Sequence, residues 1–91
     1  MTDATVPDVT MYSTGWCPYC ERARALLQRK GVACREVKID EDPAQRDIML
    51  HRSGGRRTVP QIFIGDRHVG GFDDLYALDK AGELDKLLGR A

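Results

Sequence analysis

Two cysteines separated by two residues stand where a strand-like run meets a helix-like run, and this junction constrains the fold most. Residues 9–14 are rich in β-branched and aromatic side chains, which predicts a short strand. Over residues 18–30, apolar side chains recur at spacings of three and four, which predicts an amphipathic helix. Pro18 suits its first turn, where a missing N–H costs nothing. Cys17 and Cys20 are therefore predicted to open a helix directly after a strand.

The rest of the chain alternates between the same two periodicities. The further predicted elements are a strand over 32–39, a helix from Pro43 to a stop at Ser53, strands over 61–64 and 67–69, and a helical region reaching residue 88. Asp42 is predicted to cap the second helix. Asp73 or Asp74 is predicted to cap the last helical region, which Gly82 breaks in two. The order β-α-β-α-β-β-α predicts an α/β fold whose first two strands pair in parallel.

Length and charge exclude several classes of protein. Ninety-one residues predict a single domain, 1–91, with residues 1–8 as a flexible tail that lacks the pattern of a signal peptide. No apolar stretch approaches the roughly 18 residues of a membrane span. Fourteen basic and fourteen acidic residues cancel, so no basic field favours nucleic acid. We expect a cytoplasmic monomer that binds neither nucleic acid nor membrane.

The cysteine pair is best explained as a redox dithiol. The first thiol lies at the positive end of the predicted helix, where unpaired N–H groups stabilise a thiolate. The second lies on the same helical face, within reach of a disulfide and in line with Ala23 and Leu27. Cys17 is therefore predicted to be the exposed attacking thiol, and Cys20 the shielded resolving thiol.

A zinc site is the alternative for a pair with this spacing. A structural zinc ion is coordinated by four protein ligands, so a second, closely spaced pair of ligands commonly accompanies the first. The remaining candidates are Cys34, His51 and His68, which are scattered over predicted strand and helix positions. We therefore expect no metal. Cys34 is predicted to be an inert packing residue of the second strand, because free cysteine is commonly buried. The two histidines are interpreted as surface or hairpin residues.

Three motifs occur in order along the chain: Cys17-Pro18-Tyr19-Cys20, Thr58-Val59-Pro60 and Gly70-Gly71-Phe72-Asp73-Asp74-Leu75. Together they strongly resemble the dithiol glutaredoxins, and the resemblance extends from about residue 9 to residue 88. It implies the thioredoxin fold, a four-stranded mixed sheet flanked by helices. It also implies glutathione-dependent reduction of glutathione mixed disulfides and protein disulfides, with Cys17 and Cys20 as catalytic residues. Glutathione would be a co-substrate, with no bound cofactor.

The resemblance also implies a binding site for glutathione, which carries two carboxylates and one ammonium. The residues implied to contact it are Tyr19, Arg46, Arg56, Arg57, Thr58, Val59, Pro60, Gly71, Phe72, Asp73 and Asp74. Pro60 would be a cis-proline that leaves the Val59 backbone free to pair with the peptide. The arginines would bind the glycine carboxylate of glutathione. The N–H groups of Phe72 and Asp73 would bind its γ-glutamyl carboxylate, and Asp73 its ammonium.

Some features leave alternatives open. Thr14 occupies the position where many glutaredoxins have a lysine, which leaves more of the carboxylate binding to arginines. Trp16 is either a platform for substrate or a partly buried aromatic at the strand–helix corner. Residues 11–17 also resemble mycoredoxins, which use mycothiol. The other rivals are an iron–sulfur carrier, which the rigid Pro18 ring disfavours, and a thioredoxin-type protein reduced by a flavoprotein.

Overall fold

The computed structural model of the chain describes residues 8–89. Residues 1–7, most of the predicted tail, lie outside the described residues. The strands are β1 Val9–Ser13, β2 Cys34–Lys38, β3 Gln61–Ile64 and β4 Arg67–Gly70; the helices are α1 Pro18–Arg29, α2 Pro43–Arg52, α3 Phe72–Lys80 and α4 Glu83–Leu87. In this part of the chain, no helix combines the length and apolar character needed to cross a membrane.

The four strands form one mixed sheet in the order β2-β1-β3-β4. β1 and β2 are parallel, as the strand–helix–strand pattern predicts, and Val9 lies opposite Cys34. β3 runs antiparallel to both β1 and β4, and β3 and β4 form the predicted hairpin. The fold class is thus confirmed: an α/β mixed sheet flanked by helices.

Both faces of the sheet are covered, so the central strand β3 is buried along its whole length. Successive side chains of a strand point to opposite faces. Met11 and Ile62 accordingly lie in a cluster with residues of α1, α3 and α4. Tyr12 and Phe63 lie in a second cluster with Met49 of α2, and their rings meet edge to face at 5.7 Å. Burial of each such side chain contributes roughly 1.5–3 kcal/mol.

The second strand is shorter than the predicted 32–39 because its first residues belong to the end of α1. Gly31 has a positive φ of 70°, which glycine adopts without steric cost. The N–H of Val32 donates to the carbonyl of Leu27, and the N–H of Gly31 donates to the carbonyl of Gln28. These two bonds are the Schellman arrangement that satisfies the last helical carbonyls. Residue 32 therefore completes a helix end, and pairing begins only at Cys34.

The starts of α1 and α2 agree with the sequence prediction, whereas the start of α3 differs from it. Asp42 caps α2, since its carboxylate accepts from the N–H of Ala44. The prediction that Asp73 or Asp74 caps the last helical region is wrong, because the N-cap of α3 is Gly71. Asp74 instead lies in the first turn, where its carboxylate accepts from the Gly71 N–H at 3.0 Å. Gly82, with a φ of 75°, separates α3 from α4 as predicted.

Candidate functional site

Cys17 and Cys20 lie at the amino end of α1, joined by a disulfide with their Cα atoms 5.2 Å apart. Cys17 is the N-cap residue in an extended conformation, and Pro18 occupies the first turn. The N–H of Cys20 donates to Cys17 Sγ over 3.1 Å. A sulfur in this position receives a helix-end N–H and faces the positive end of the helix dipole. When the disulfide opens, this arrangement stabilises a thiolate on Cys17.

The two sulfurs differ in accessibility in the predicted direction, although by less than expected. Cys20 is fully buried against the core, whereas Cys17 is 8% exposed. The reason for this small exposure is the neighbouring loop, because the Val59 carbonyl oxygen lies 3.8 Å from Cys17 Sγ. Cys17 is thus the cysteine that an incoming sulfur can reach.

The loop opposite the cysteine pair has the conformation that the resemblance implied. The Val59–Pro60 peptide bond is cis. The Val59 side chain packs against both core clusters, so the position of this loop is fixed by the two faces of the sheet.

Gln61 supports this loop from below, a role that the sequence analysis did not assign. The side chain is fully buried. Its Nε2 donates to the carbonyl oxygen of Thr58 at 2.9 Å and lies 3.2 Å from Thr58 Oγ1. A buried polar side chain needs such partners. The signal that could have revealed it is a glutamine at the start of an otherwise apolar strand.

His68 completes this support and was interpreted too simply as a surface or hairpin residue. Its Nε2 lies 2.7 Å from Gln61 Oε1, and because Gln61 Oε1 can only accept, His68 donates. Its ring stacks on Phe63 with centroids 4.9 Å apart. Burial, reinforced by the positive charge of Arg56, lowers the pKa of His68. A chain of contacts therefore runs from the hairpin to the loop at Cys17.

Beside the cysteine pair lies a groove of about 310 Å³. Its lining residues are Tyr19, Arg56, Thr58, Val59, Pro60, Gly71, Phe72, Asp73 and Asp74. Each of these was predicted as a glutathione contact. Two other predicted contacts, Arg46 on α2 and Arg57, are exposed and do not line the groove. The structure thus brings together residues from α1, the cis-proline loop and the start of α3.

One wall of the groove carries a paired arginine and aspartate. Arg56 Nη1 lies 3.5 Å from Asp74 Oδ2, the same oxygen that accepts from Gly71. Gly70 is required behind this pair, since its φ is 117° and a Cβ there would collide with the Asp74 carboxylate. Asp73 is exposed at the start of α3, beside the N–H groups of the first helical turn. The groove therefore carries one cationic and two anionic side chains.

Aromatic rings form the outer wall of the groove. Tyr19, in the first turn of α1, stacks on Phe72 with ring centroids 6.4 Å apart. The Arg22 guanidinium lies over the Tyr19 ring at 5.3 Å from its centroid. Tyr19 nevertheless remains 54% exposed. The ring is held in orientation while one side stays available to a ligand.

Trp16 and Cys34 lie outside the groove, and the structure defines the exposure of each. Trp16 is 82% exposed, so the interpretation as a partly buried corner aromatic is wrong. Cys34 is half-buried against the core, and burial raises the pKa of its thiol to about 11. Within residues 8–89, no three histidine, cysteine or acidic side chains converge as a metal site.

Comparison with known proteins agrees with this geometry. The family model described as Glutaredoxin matches residues 9–69. The chain is 57% identical to a glutaredoxin of Pseudomonas aeruginosa over 83 residues, which cover 91% of this chain and 98% of that protein. It is also 57% identical to glutaredoxin 3 of Escherichia coli over 81 residues, with coverage of 89% and 96%.

Solved structures are similar as well. A solution structure of a glutaredoxin from Brucella melitensis matches with a TM-score of 0.82 and 50% identity, covering 99% of each chain. A crystal structure of a buckwheat glutaredoxin–glutathione complex matches with a TM-score of 0.82 and 29% identity, covering 91% of this chain and 77% of that one.

Proposed function

Because the chain belongs to the glutaredoxin family and is a thiol–disulfide oxidoreductase, we propose that it uses glutathione to reduce glutathionylated proteins and protein disulfides. The observation that carries this proposal is the position of Cys17. Its sulfur accepts a helix-end N–H and adjoins a groove that presents both signs of charge. A redox sulfur alone would serve any disulfide reductase, whereas the adjoining groove suits a small zwitterionic thiol.

On a glutathionylated protein, the Cys17 thiolate attacks the glutathione sulfur. A bond forms between Cys17 and glutathione, the original sulfur–sulfur bond breaks, and the released protein thiolate takes a proton from water. A second glutathione thiolate then attacks the glutathione sulfur held on Cys17. This step frees the Cys17 thiolate and releases glutathione disulfide. One glutathione is consumed for each protein thiol restored, and Cys20 takes no part.

On a protein disulfide, Cys17 attacks one protein sulfur and forms a mixed disulfide with it, while the protein's own sulfur–sulfur bond breaks and the other sulfur leaves as a thiolate that takes a proton from water. Cys20 then attacks Cys17 Sγ, which releases the second protein thiol and forms the Cys17–Cys20 disulfide present in the structure. Two glutathione molecules reduce that disulfide and leave as glutathione disulfide. Cys20 is three residues away on the same helix face, so its attack is intramolecular and has a high effective concentration.

Glutathione is proposed to lie along the groove. The Val59 backbone would pair with its cysteinyl residue as a short added strand. Arg56, at the groove wall, would bind the glycine carboxylate. The N–H groups of Phe72 and Asp73 would bind the γ-glutamyl carboxylate, and the exposed Asp73 carboxylate its ammonium. Asp74 is already engaged with Gly71 and Arg56, which supports Asp73 for the ammonium.

The proposal also covers the setting in which the protein works. Cys17 and Cys20 lie on one helix, so attack and resolution need no second subunit, and we propose that the protein works as a monomer. The reaction consumes reduced glutathione, which a reducing compartment maintains, so we propose the cytoplasm as its location. Its partners would be glutathione and proteins with a glutathionylated cysteine or a disulfide.

Serine replacement of each cysteine tests the division of labour. Cys17→Ser should abolish both activities, since no other described thiol has helix-end N–H donors. Cys20→Ser should keep removal of glutathione from a small mixed disulfide, while it loses most reduction of a protein disulfide. Turnover is followed by coupling glutathione disulfide to glutathione reductase and NADPH. Cys34→Ala is the control that removes a thiol outside the site.

The electron donor is tested in the same assay. Glutathione should support turnover, whereas mycothiol, or NADPH with thioredoxin reductase, should support little. Loss of glutathione-mixed-disulfide reduction in Cys20→Ser as complete as in Cys17→Ser would contradict the nucleophile assignment. Preference for mycothiol, or for the flavoprotein, would contradict the proposed co-substrate.

A further inference from the structure

Trp16 is an exposed aromatic side chain directly before the attacking cysteine. It is 82% exposed, the highest value among the exposed large apolar residues of the described part; Tyr19 follows at 54%. Single exposed apolar residues are common and need no explanation by themselves. The position of this residue, next to Cys17 and outside the groove lining, is what distinguishes it.

The backbone around Trp16 is held in place on both sides. Thr14 Oγ1 donates to the Trp16 carbonyl oxygen at 3.1 Å. The Gly15 N–H donates to Asp40 Oδ2 at 2.9 Å, and a Cβ at Gly15 would approach that oxygen to 3.1 Å. The loop therefore presents the indole from a fixed point. An aromatic side chain on a constrained backbone binds a partner with little loss of entropy, as interface anchors do.

The groove does not accommodate the part of the substrate that carries the leaving sulfur. In attack on a disulfide, the incoming, central and leaving sulfurs lie nearly in line. When glutathione occupies the groove, the leaving sulfur and the polypeptide attached to it must lie outside the groove. When one half of a protein disulfide occupies the groove, the other half must likewise lie outside it. Trp16 is the large apolar side chain that adjoins Cys17 outside the groove lining.

We propose that Trp16 is a specificity-determining residue that contacts the protein half of the substrate. Its indole packs on apolar side chains next to the reacting cysteine of the substrate polypeptide. It thereby raises kcat/KM for protein disulfides and glutathionylated polypeptides, and leaves small glutathione disulfides unaffected. This inference rests on the proposed function, and it adds a preference for cysteines with apolar neighbours.

The test compares three substrates in which Cys17 attacks the same glutathione sulfur. Glutathione is attached to 2-mercaptoethanol, to a peptide cysteine with leucine neighbours, or to a peptide cysteine with serine neighbours. Trp16→Ala should lower kcat/KM for the leucine peptide by about tenfold, and should change kcat/KM for the mercaptoethanol adduct by less than about twofold. Trp16→Phe should restore most of the loss. Ile48→Ala removes an apolar side chain that is 43% exposed on α2, and should leave all three values unchanged.

Fluorescence gives a second readout because Trp16 is the only tryptophan of the chain. In Cys20→Ser protein, Cys17 attacks the 2-thiopyridyl disulfide of the leucine peptide, releases thiopyridone and keeps the peptide as a mixed disulfide. This adduct should shift the emission to shorter wavelength, whereas glutathione attached to Cys17 in the same way should not. Equal loss on the mercaptoethanol adduct and the leucine peptide would overturn the proposal in favour of a structural role. Equal activity of Trp16→Ala and wild type on all substrates would overturn it too. Absence of glutathione-dependent turnover in the wild type would instead contradict the proposed function.

Discussion

Replacing Glu36 with glutamine should destabilise the fold at neutral pH and have little effect at very low pH. Glu36 lies on β2, and the Arg24 guanidinium of α1 donates to both of its carboxylate oxygens, at 2.9 and 2.7 Å. The hydroxyl of Ser13, the last residue of β1, donates to the same carboxylate. Lys38 Nζ lies 3.6 Å away. The carboxylate thus joins three elements next to the loop that carries Cys17.

The magnitude follows from the pKa of Glu36. The Arg24 hydrogen bonds, supported by Ser13, outweigh burial and lower this pKa from 4.5 to about 2. A displacement of this size corresponds to about 3 kcal/mol in favour of the charged carboxylate. Because the Arg24 side chain is 34% exposed, water screens part of the attraction, and we expect a loss of about 2 kcal/mol at pH 7.

The pH dependence has a defined sign. A carboxyl group with a lowered folded-state pKa stabilises the fold above its unfolded-state pKa, and the contribution disappears as pH falls through the folded-state value. The difference in unfolding free energy between wild type and Glu36→Gln should therefore shrink between about pH 4.5 and about pH 2. Urea unfolding followed by circular dichroism, with the Cys17–Cys20 disulfide intact throughout, measures this difference.

Glu83→Gln is the matched control. Glu83 forms a surface pair with Lys86 at 3.4 Å, and both side chains are more than half exposed. Such pairs are worth little, so the control should lose less than about 0.5 kcal/mol. A Glu36→Gln loss that is the same at pH 2 as at pH 7 would refute the ion-pair explanation, since only packing would then be affected. A loss no larger than that of Glu83→Gln would refute the magnitude.

Two further predictions concern residues in and near the groove. Arg56→Ala should raise KM for a glutathionylated substrate by about tenfold, because a charged hydrogen bond to the substrate is lost. The control is Arg67→Ala, which removes an exposed arginine of β4 outside the groove lining and should leave KM unchanged. Equal KM values in the two variants would remove Arg56 from the site. Cys34 should react with iodoacetamide at pH 7.5 about a hundredfold more slowly than a thiol of ordinary pKa, because burial raises its pKa from 9.0 to about 11. The rate is measured in the Cys17→Ser/Cys20→Ser variant, in which Cys34 is the remaining thiol. Rapid alkylation would show that this thiol is accessible.

The sequence by itself determined the features that depend on neighbours along the chain. The strand–helix junction at Cys17, the cap at Asp42 and the break at Gly82 follow from local periodicity and from the backbone preferences of a few residue types. The motifs identified the fold and most of the groove lining. The local predictions held because each rests on contacts within one turn of a helix or one stretch of strand, whereas the fold and the groove came from the resemblance of the motifs to those of the glutaredoxins.

Only the tertiary structure decided which residues meet across the molecule. It brought Arg56 to the groove wall and left Arg46 and Arg57 outside, although all three are arginines in one region of the chain. It turned Trp16 outward and made Gln61 a support for the loop at Cys17. Side-chain direction and hydrogen-bond partners at such positions depend on elements distant in sequence, because the sheet, rather than the local chain, sets the space that each side chain can occupy.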